Sequence, residues 1–260
     1  MSWFIFYILV ALISYFSFMK ARFVVKNYEG ETIPYSIGSF LVISILFSVL
    51  FYSDVSEHLF QSIFYLIMIW IFGLLDDIYG QAYPKGLKGH IRYMSQKRRM
   101  TTGIVKAVGT TLVSIQLILT WGLTSYEALV AFWLLVSFPH VMNLFDTRPL
   151  RVWKIAFAFT SLFLIFATPD RMTLGLIGVV FGIWFIFEGT KWALLGDNGA
   201  TFIGALLAVL FIQVSPFVVQ ISMSIVTAYC IWYAERGSFS KVIESVNILK
   251  AIDQLGIRKT

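Results

Sequence analysis

Charged residues and cysteine are both scarce in this chain. Asp, Glu, Lys and Arg make up 13% of its 260 residues, which is about half the share in an average soluble domain. The single cysteine, Cys230, lies inside an apolar run, so neither a disulfide framework nor a cysteine-based metal site can form within one chain. We interpret Cys230 as a small buried hydrophobic residue.

Apolar residues take the place of the missing charges. They make up 58% of the chain, and the mean hydropathy is +0.81, whereas soluble domains are about 45–50% apolar. The sequence therefore predicts an integral membrane protein. The first apolar run, at 3–18, has basic residues after it and none before it, unlike a cleavable signal peptide. We expect it to be an uncleaved span with the N-terminus outside.

Nine apolar runs are long enough, or nearly long enough, to cross a bilayer. They lie at about 2–19, 36–53, 59–75, 103–121, 127–143, 153–168, 172–187, 200–214 and 217–234. The eighth is short for a spanning helix, and Pro216 closes it. The sequence thus predicts an all-α fold, a polytopic membrane helical bundle of about nine transmembrane helices.

The basic residues orient these spans. With the N-terminus outside, every Lys and Arg except Arg171 falls on the cytoplasmic side or within one turn of it, as the positive-inside rule requires. The C-terminus is then cytoplasmic. The net charge of +6 reflects topology and attraction to anionic lipid and phosphate, and it gives no sign of a nucleic-acid partner.

The segment after the last run has an amphipathic helical pattern. Its apolar positions share one helical face: Val242, Ile243, Val246, Leu249 and Ile252. Gly256 is a natural stop for such a helix. We expect an interfacial helix on the inner membrane surface, which divides the chain into a transmembrane domain at 1–236 and a cytoplasmic amphipathic tail at 237–260.

Four aspartates lie where apolar runs stop or start, all on the predicted inner face: Asp76, Asp77, Asp146 and Asp197. A carboxylate at the bilayer centre costs roughly 2.5–3.5 kcal/mol on insertion scales, and end positions avoid that cost. Convergent carboxylates beside basic loops are typical of a site for Mg²⁺ and phosphate.

The aspartates also have structural interpretations. Asp76 and Asp77 can form the polar end of a span, although two adjacent like charges favour a bound cation or a shared proton. Asp197 lies between Gly196 and Gly199 and can mark a turn between spans. The same glycines allow backbone N–H groups to approach a phosphate.

Basic residues near the aspartates are candidate phosphate ligands. Arg148 and Arg151 follow Asp146, and their guanidiniums can bind phosphate oxygens or simply pair with that carboxylate. Lys88 and His90 lie in a glycine-containing loop after the aspartate pair. His90 can equally be an interfacial structural histidine.

Several of these segments resemble motifs of the polyprenyl-phosphate N-acetylhexosamine-1-phosphate transferases, also called glycosyltransferase family 4. The matching segments are 26–34 (first inner loop), 73–77 (aspartate pair), 143–146 (end of an Asn-rich motif), and 195–200 with Gly204 (a Gly-Asp-x-Gly-Ser/Ala motif). The resemblance covers roughly residues 20–205. Each motif alone is weak, but the ordered set on one membrane face is specific.

The chain departs from the family pattern in its inner loops. Residues 146–151 read DTRPLR where the family has Asp-Gly-Leu-Asp-Gly-Leu, and His140 replaces the first Asn of the Asn-rich motif. The family's His-rich loop and tenth span have no counterpart. The metal and phosphate residues therefore carry over, while substrate identity does not.

The resemblance implies an Mg²⁺-dependent enzyme, with Mn²⁺ as an alternative ion, in a bacterial cytoplasmic membrane. It would move a sugar-1-phosphate from a nucleotide sugar of the UDP-N-acetylhexosamine type to undecaprenyl phosphate, a polyprenyl phosphate lipid. Asp197 with Asp76 or Asp77 would bind the metal, and the other member of the pair would orient or deprotonate the lipid phosphate.

The same resemblance implies the substrate-binding set. Asn143 and Asp146 would position the donor, and the phosphate contacts would come from Lys88, Arg148 and Arg151. His90, Gly196 and Gly199 complete the predicted set. Nucleotide sugar, polyprenyl phosphate and membrane lipids are the expected partners, and a homodimer is left open.

Two other functions remain open from the sequence. The altered loop is also compatible with a non-catalytic membrane protein that binds lipid phosphate or nucleotide sugar and assists envelope polymer synthesis. A transporter would need polar residues at mid-span depth or broken helices, and the sequence has few of either.

Overall fold

The structure is a computed structural model that describes residues 2–27, 29–52, 57–80, 101–167 and 169–258. These residues form eleven helices and one two-stranded sheet. The elements are α1 (Ser2–Ala21), β1 (Val24–Lys26), β2 (Thr32–Pro34), α2 (Ile37–Tyr52), α3 (Glu57–Tyr79), α4 (Thr102–Trp121), α5 (Ser125–Phe145), α6 (Arg151–Phe166), α7 (Arg171–Gly189), α8 (Gly196–Val214), α9 (Phe217–Ala234), α10 (Phe239–Ser245) and α11 (Asn247–Gln254).

The predicted all-α membrane fold is confirmed at the level of its helices. Every one of the nine apolar runs is helical, and seven are long and apolar enough to cross a membrane, namely α1, α3, α4, α5, α7, α8 and α9. Helices α2 and α6 have 16 residues each, against about 20 for a full span. The chain is therefore a multi-pass membrane protein, while the count of nine spans and their orientation stay predictions.

Helix α8 is the centre of the bundle. It packs mainly against α3 and α5, and 67% of its membrane-crossing stretch is buried, against at most 44% in the other six long helices. The prediction of a short eighth span from about 200 was wrong, because α8 begins at Gly196 and has 19 residues. The glycine-rich segment that the sequence placed in a loop is the first turn of this helix.

Glycines allow α8 to approach its neighbours closely. A Cβ added at Gly73 of α3 would lie 2.6 Å from the Asn198 Cα, and one at Gly204 of α8 would lie 2.6 Å from the Phe138 carbonyl oxygen. Small residues at helix contacts are how membrane helices gain packing energy, since lipid is as apolar as the helix surface. This packing fixes where the N-terminus of α8 lies.

A β-hairpin ties down the chain just before α8. Strands β1 and β2 pair antiparallel, and Leu194 donates its backbone N–H to the carbonyl of Pro34 at 2.9 Å. Ile37 then donates to the carbonyl of Leu194 at 3.3 Å. Lys191 forms an ion pair with Glu29 of the hairpin. The segment that leads into α8 is thus held by the β-hairpin and by the first residue of α2.

The C-terminal tail differs from its prediction. The single amphipathic helix expected there is two short helices, α10 and α11, separated at Val246, whose backbone is extended (φ −107°, ψ 114°). The break lets Phe239 pack against Phe145, with the ring centroids 4.6 Å apart and the ring planes tilted by 36°, while Asp253 reaches Arg151. One continuous helical face is therefore lost. The predicted stop is confirmed, because Gly256 follows α11 with φ +81°.

Cysteine labelling tests the orientation of the spans. In a Cys230→Ser background, Arg171→Cys at the start of α7 should react with a membrane-impermeant maleimide on intact cells, because it is the only basic residue predicted outside. Lys250→Cys in α11 should react only after the cells are permeabilised. Both positions are exposed, so equal labelling of the two on intact cells would contradict the orientation.

Candidate functional site

Three polar side chains from three other helices lie around the ammonium of Lys106. Its Nζ lies 2.5 Å from Asp197 Oδ2 and 3.3 Å from Asp76 Oδ2. The amide of Asn143 donates from Nδ2 to the same Asp197 oxygen at 3.2 Å. We call Asp76, Lys106, Asn143 and Asp197 the Lys106 cluster. It brings together three residues that the sequence singled out and one that it did not.

The position of each member follows from the helix ends. Asp76 lies in the last turn of α3 and Asn143 in the last turn of α5, whereas Lys106 and Asp197 lie near the starts of α4 and α8. Thr101 caps α4 by accepting the N–H of Ile104 at 3.3 Å. Two helices end and two begin at the same end of the bundle, and this places the cluster there.

Sequence analysis missed Lys106 as a site residue. It is the only charged residue of the apolar run at 103–121, and its position one turn inside that run was interpreted only as a topology signal. An ionisable residue within a membrane segment usually has a function or is paired with another polar group. That rule was the available signal, but the sequence alone could not show which carboxylates pair with it.

Asp77 has a different role from Asp76. Its Oδ1 accepts the N–H of Asp197 at 2.9 Å, and its Oδ2 accepts the N–H of Asn198 at 2.9 Å and the Asn198 Nδ2 at 2.7 Å. The first N–H groups of a helix have no partner within the helix, and the residue preceding α8, Leu195, supplies no capping side chain. Asp77 of α3 therefore caps α8 from outside.

The geometry of the cluster can be compared with the needs of Mg²⁺. Within the described ranges, no group of three or more His, Cys, Asp or Glu side chains is arranged to hold a metal ion. Mg²⁺, however, often binds one or two carboxylates and completes its shell with water and phosphate oxygens. Asp76 and Asp197 fit that mode, since both already face one cation. Asp77 fits it poorly, because its oxygens accept three N–H bonds.

The cluster is accessible and carries surplus negative charge. The side chains of Lys106, Asp76 and Asp197 keep 16%, 21% and 32% of their surface exposed, so a ligand can reach them. One ammonium faces two carboxylates, which leaves the group anionic. The Asn143 Oδ1 is a buried acceptor that has no hydrogen-bond partner in the described part of the chain. These features suit a cation or a hydrogen-bond donor as ligand.

Asp146 follows α5 one turn after Asn143. Asp146 is half-buried, and its partial removal from water together with the nearby carboxylates of Glu188 and Asp197 raises its pKa above the ordinary value. Glu188, which sequence analysis also missed, is buried in α7 and accepts the Trp184 Nε1–H at 2.6 Å. Asp146 thus holds a proton to higher pH than an exposed aspartate does, beside the Lys106 cluster.

The two predicted phosphate-binding arginines contact the C-terminal tail. Arg151 is 3% exposed and donates from Nε and Nη2 to the two carboxylate oxygens of Asp253, each at 2.8 Å. Arg148 pairs with Glu244 and lies 3.9 Å from Asp253. Of the contacts described, no ion pair joins either arginine to Asp146. Their binding of phosphate stays a prediction.

The pair between Arg151 and Asp253 depends on pH. Burial would raise the pKa of Asp253, but the hydrogen bonds and charge of Arg151 outweigh it and lower that pKa. A lowered carboxyl pKa contributes stability that is complete above about pH 4 and is lost as the pH falls through the lowered value. The pair is therefore intact throughout the neutral range.

The remaining predicted residues divide into two groups. Lys88 and His90 lie outside the described residues. Gly196 and Gly199 open α8, where Gly196 has φ +71° and a Cβ on Gly199 would lie 2.4 Å from Leu195 Cδ1. The glycines therefore satisfy a turn and a close contact, and their approach to a phosphate stays a prediction.

Comparison with known proteins adds no family assignment. A scan against protein-family models finds no match for this chain, and a search of curated proteins finds none that matches. The likeness to the sugar-phosphate transferases therefore rests on the sequence motifs quoted above alone.

Replacing each member of the aspartate pair in turn should show that Asp77, and not Asp76, stabilises the start of α8. Asp77→Ala removes three accepted hydrogen bonds at the start of α8, and loss of a helix cap generally costs about 0.5–2 kcal/mol. We expect a lower unfolding temperature for Asp77→Ala in detergent. Asp76→Ala should lose less stability than Asp77→Ala, because Asp197 still pairs with Lys106. Equal stability of Asp77→Ala and the wild type would contradict the capping role.

Proposed function

We propose that this protein is a membrane transferase that moves a sugar-1-phosphate from a nucleotide sugar to a polyprenyl phosphate. The observation that supports the proposal most directly is the Lys106 cluster. Carboxylates from two helices, Asp76 and Asp197, lie beside one ammonium at helix ends that the charge distribution assigns to the cytoplasmic face. A phosphate-bearing lipid and a soluble donor can meet only at such an interface.

Each residue of the cluster has a distinct task in this proposal. Asp76 and Asp197 would hold Mg²⁺, or Mn²⁺ in its place, and a bound ion of this kind neutralises charge on the phosphates. Lys106 brings a second positive charge to the same place and keeps the two carboxylates from repelling each other. Asn143 orients Asp197 through its amide N–H, and its buried Oδ1 has no hydrogen-bond partner among the described residues.

In the proposed reaction, Asp146 would act as a hydrogen-bond donor to the substrate. Its raised pKa lets the carboxyl hold a proton at pH values where an exposed aspartate is ionised, so it can donate a hydrogen bond to a phosphate or sugar oxygen. The nucleotide sugar would therefore lie between the Lys106 cluster and the loop that follows α5.

A second candidate function keeps the site and omits the reaction. Lys106 already stands between the two carboxylates, and within the described residues no third carboxylate completes a metal shell. A protein that only binds lipid phosphate or nucleotide sugar would need no more than this arrangement. Turnover, measured directly, separates the two candidates.

The transferase proposal is tested with purified protein, Mg²⁺, undecaprenyl phosphate and a panel of nucleotide sugars, with formation of lipid-linked sugar as the readout. Asp197→Asn keeps the size of the side chain and removes its charge, so we expect turnover to fall by a factor on the order of 10² or more. Asp170→Asn, at the predicted outer end of α7, is the matched control. Turnover that survives EDTA, or full activity of Asp197→Asn, would exclude the metal mechanism.

Arg148 offers a separate test of donor binding. Its side chain is 42% exposed, unlike that of Arg151, so its guanidinium can turn toward a diphosphate. Charged hydrogen bonds contribute about 1.5–3 kcal/mol each, and Arg148→Ala should weaken nucleotide-sugar affinity about tenfold, with partial rescue by Lys. Arg236→Ala, at the end of α9, should change little. Unchanged affinity of folded Arg148→Ala would place the donor elsewhere.

A further inference from the structure

The ion pair between Arg151 and Asp253 is buried and bidentate. The residues are 102 positions apart, their side chains are 4% and 5% exposed, and two parallel hydrogen bonds of 2.8 Å join them. The Arg151 Nη1 also donates to Ser240 Oγ at 2.9 Å and to Thr147 Oγ1. Four of the five N–H groups of this guanidinium are therefore satisfied within the chain.

Other contacts secure the tail around this pair. Lys154 donates from Nζ to the backbone carbonyl of Asp253 at 2.7 Å. Arg258 donates its backbone N–H to the carbonyl of Gly189 at 2.9 Å, at the end of α7. Phe239 packs against Phe145, at the end of α5. The tail thus spans the ends of α5, α6 and α7.

The loop held by this tail begins at the candidate site. Asp146 donates its backbone N–H to the carbonyl of Asn143 at 3.3 Å, and Asn143 belongs to the Lys106 cluster. At the other end of the loop, Leu150 is fully buried with φ +61°. A non-glycine residue in that region is strained and persists only where its surroundings enforce it. The loop conformation therefore depends on its contacts.

We propose that Asp253 is a positioning residue of the candidate site. Through Arg151, it holds residues 146–151 in one conformation and keeps Asp146 beside the Lys106 cluster. For its effect on catalysis this inference rests on the transferase proposal, whereas the effect on the loop does not. Removing one partner of a buried ion pair leaves an uncompensated charge, so the loop should rearrange when Asp253 is lost.

A distance measurement tests the positioning without any assay of activity. In the full-length Cys230→Ser protein, spin labels at Tyr79→Cys and Arg148→Cys, which leave the four Arg151 hydrogen bonds intact, report the separation of the loop from the helix that carries Asp76. Pulsed EPR should give one narrow distribution, which Asp253→Ala broadens or shifts. Lys250→Ala, in the same tail helix, should leave it unchanged. An unaltered distribution in Asp253→Ala would overturn the proposal.

Kinetics and a conservative variant separate positioning from other roles. Asp253→Ala should lower kcat at least tenfold, while Asp253→Asn, which keeps one acceptor oxygen and the side-chain size, should recover part of both kcat and the narrow distance distribution. Tighter nucleotide-sugar binding by Asp253→Ala would overturn the proposal, because it would make Asp253 a competitor for Arg151. A wild type without transferase activity would refute the proposed function, and the EPR result would still decide the positioning.

Discussion

The pairing of one ammonium with two carboxylates is the interaction on which the charged end of this bundle depends. Asp76 and Asp197 reach the same point from α3 and α8, and without Lys106 they would repel each other in partly dehydrated surroundings. Because the three side chains come from three helices, the pairing also fixes how those helices meet. The central helix α8 is therefore positioned by charge at its start and by glycine-mediated packing along its length.

Adjacent aspartates take unequal roles because of the helix that carries them. Neighbouring residues on a helix point about 100° apart, so only one of Asp76 and Asp77 can face Lys106. The other faces the first turn of α8 and accepts its N–H groups. An aspartate pair at a helix end can thus provide a ligand and a cap at once, and mutating the two residues together would mix both effects.

The sequence predicted the helices and the end positions of the aspartates, because apolar runs and charges follow directly from the cost of burying polar groups in lipid. It did not predict the two carboxylates that pair with Lys106 or the capping of α8 by Asp77, since these depend on contacts between helices far apart in the chain. Gly196 was read as part of a loop because a glycine signal is the same for a turn and for a helix start. Asp253 belongs to no motif in the sequence, and only its contact with Arg151 in the structure points to a role.

The shortness of α6 has a consequence for the surrounding lipid. The first turn of α6 is held by the contacts of Arg151 with the tail, and its 16 residues reach about 24 Å at 1.5 Å per residue, compared with a hydrocarbon core of about 30 Å. Phe157 and Ile165 are exposed along this helix, and they would face acyl chains if α6 is the span that the sequence predicts. A bilayer meets so short a surface by thinning. If α6 spans the membrane as the sequence predicts, the bilayer should thin beside the end of α6 that lies away from the tail, and membrane thickness should then affect this protein.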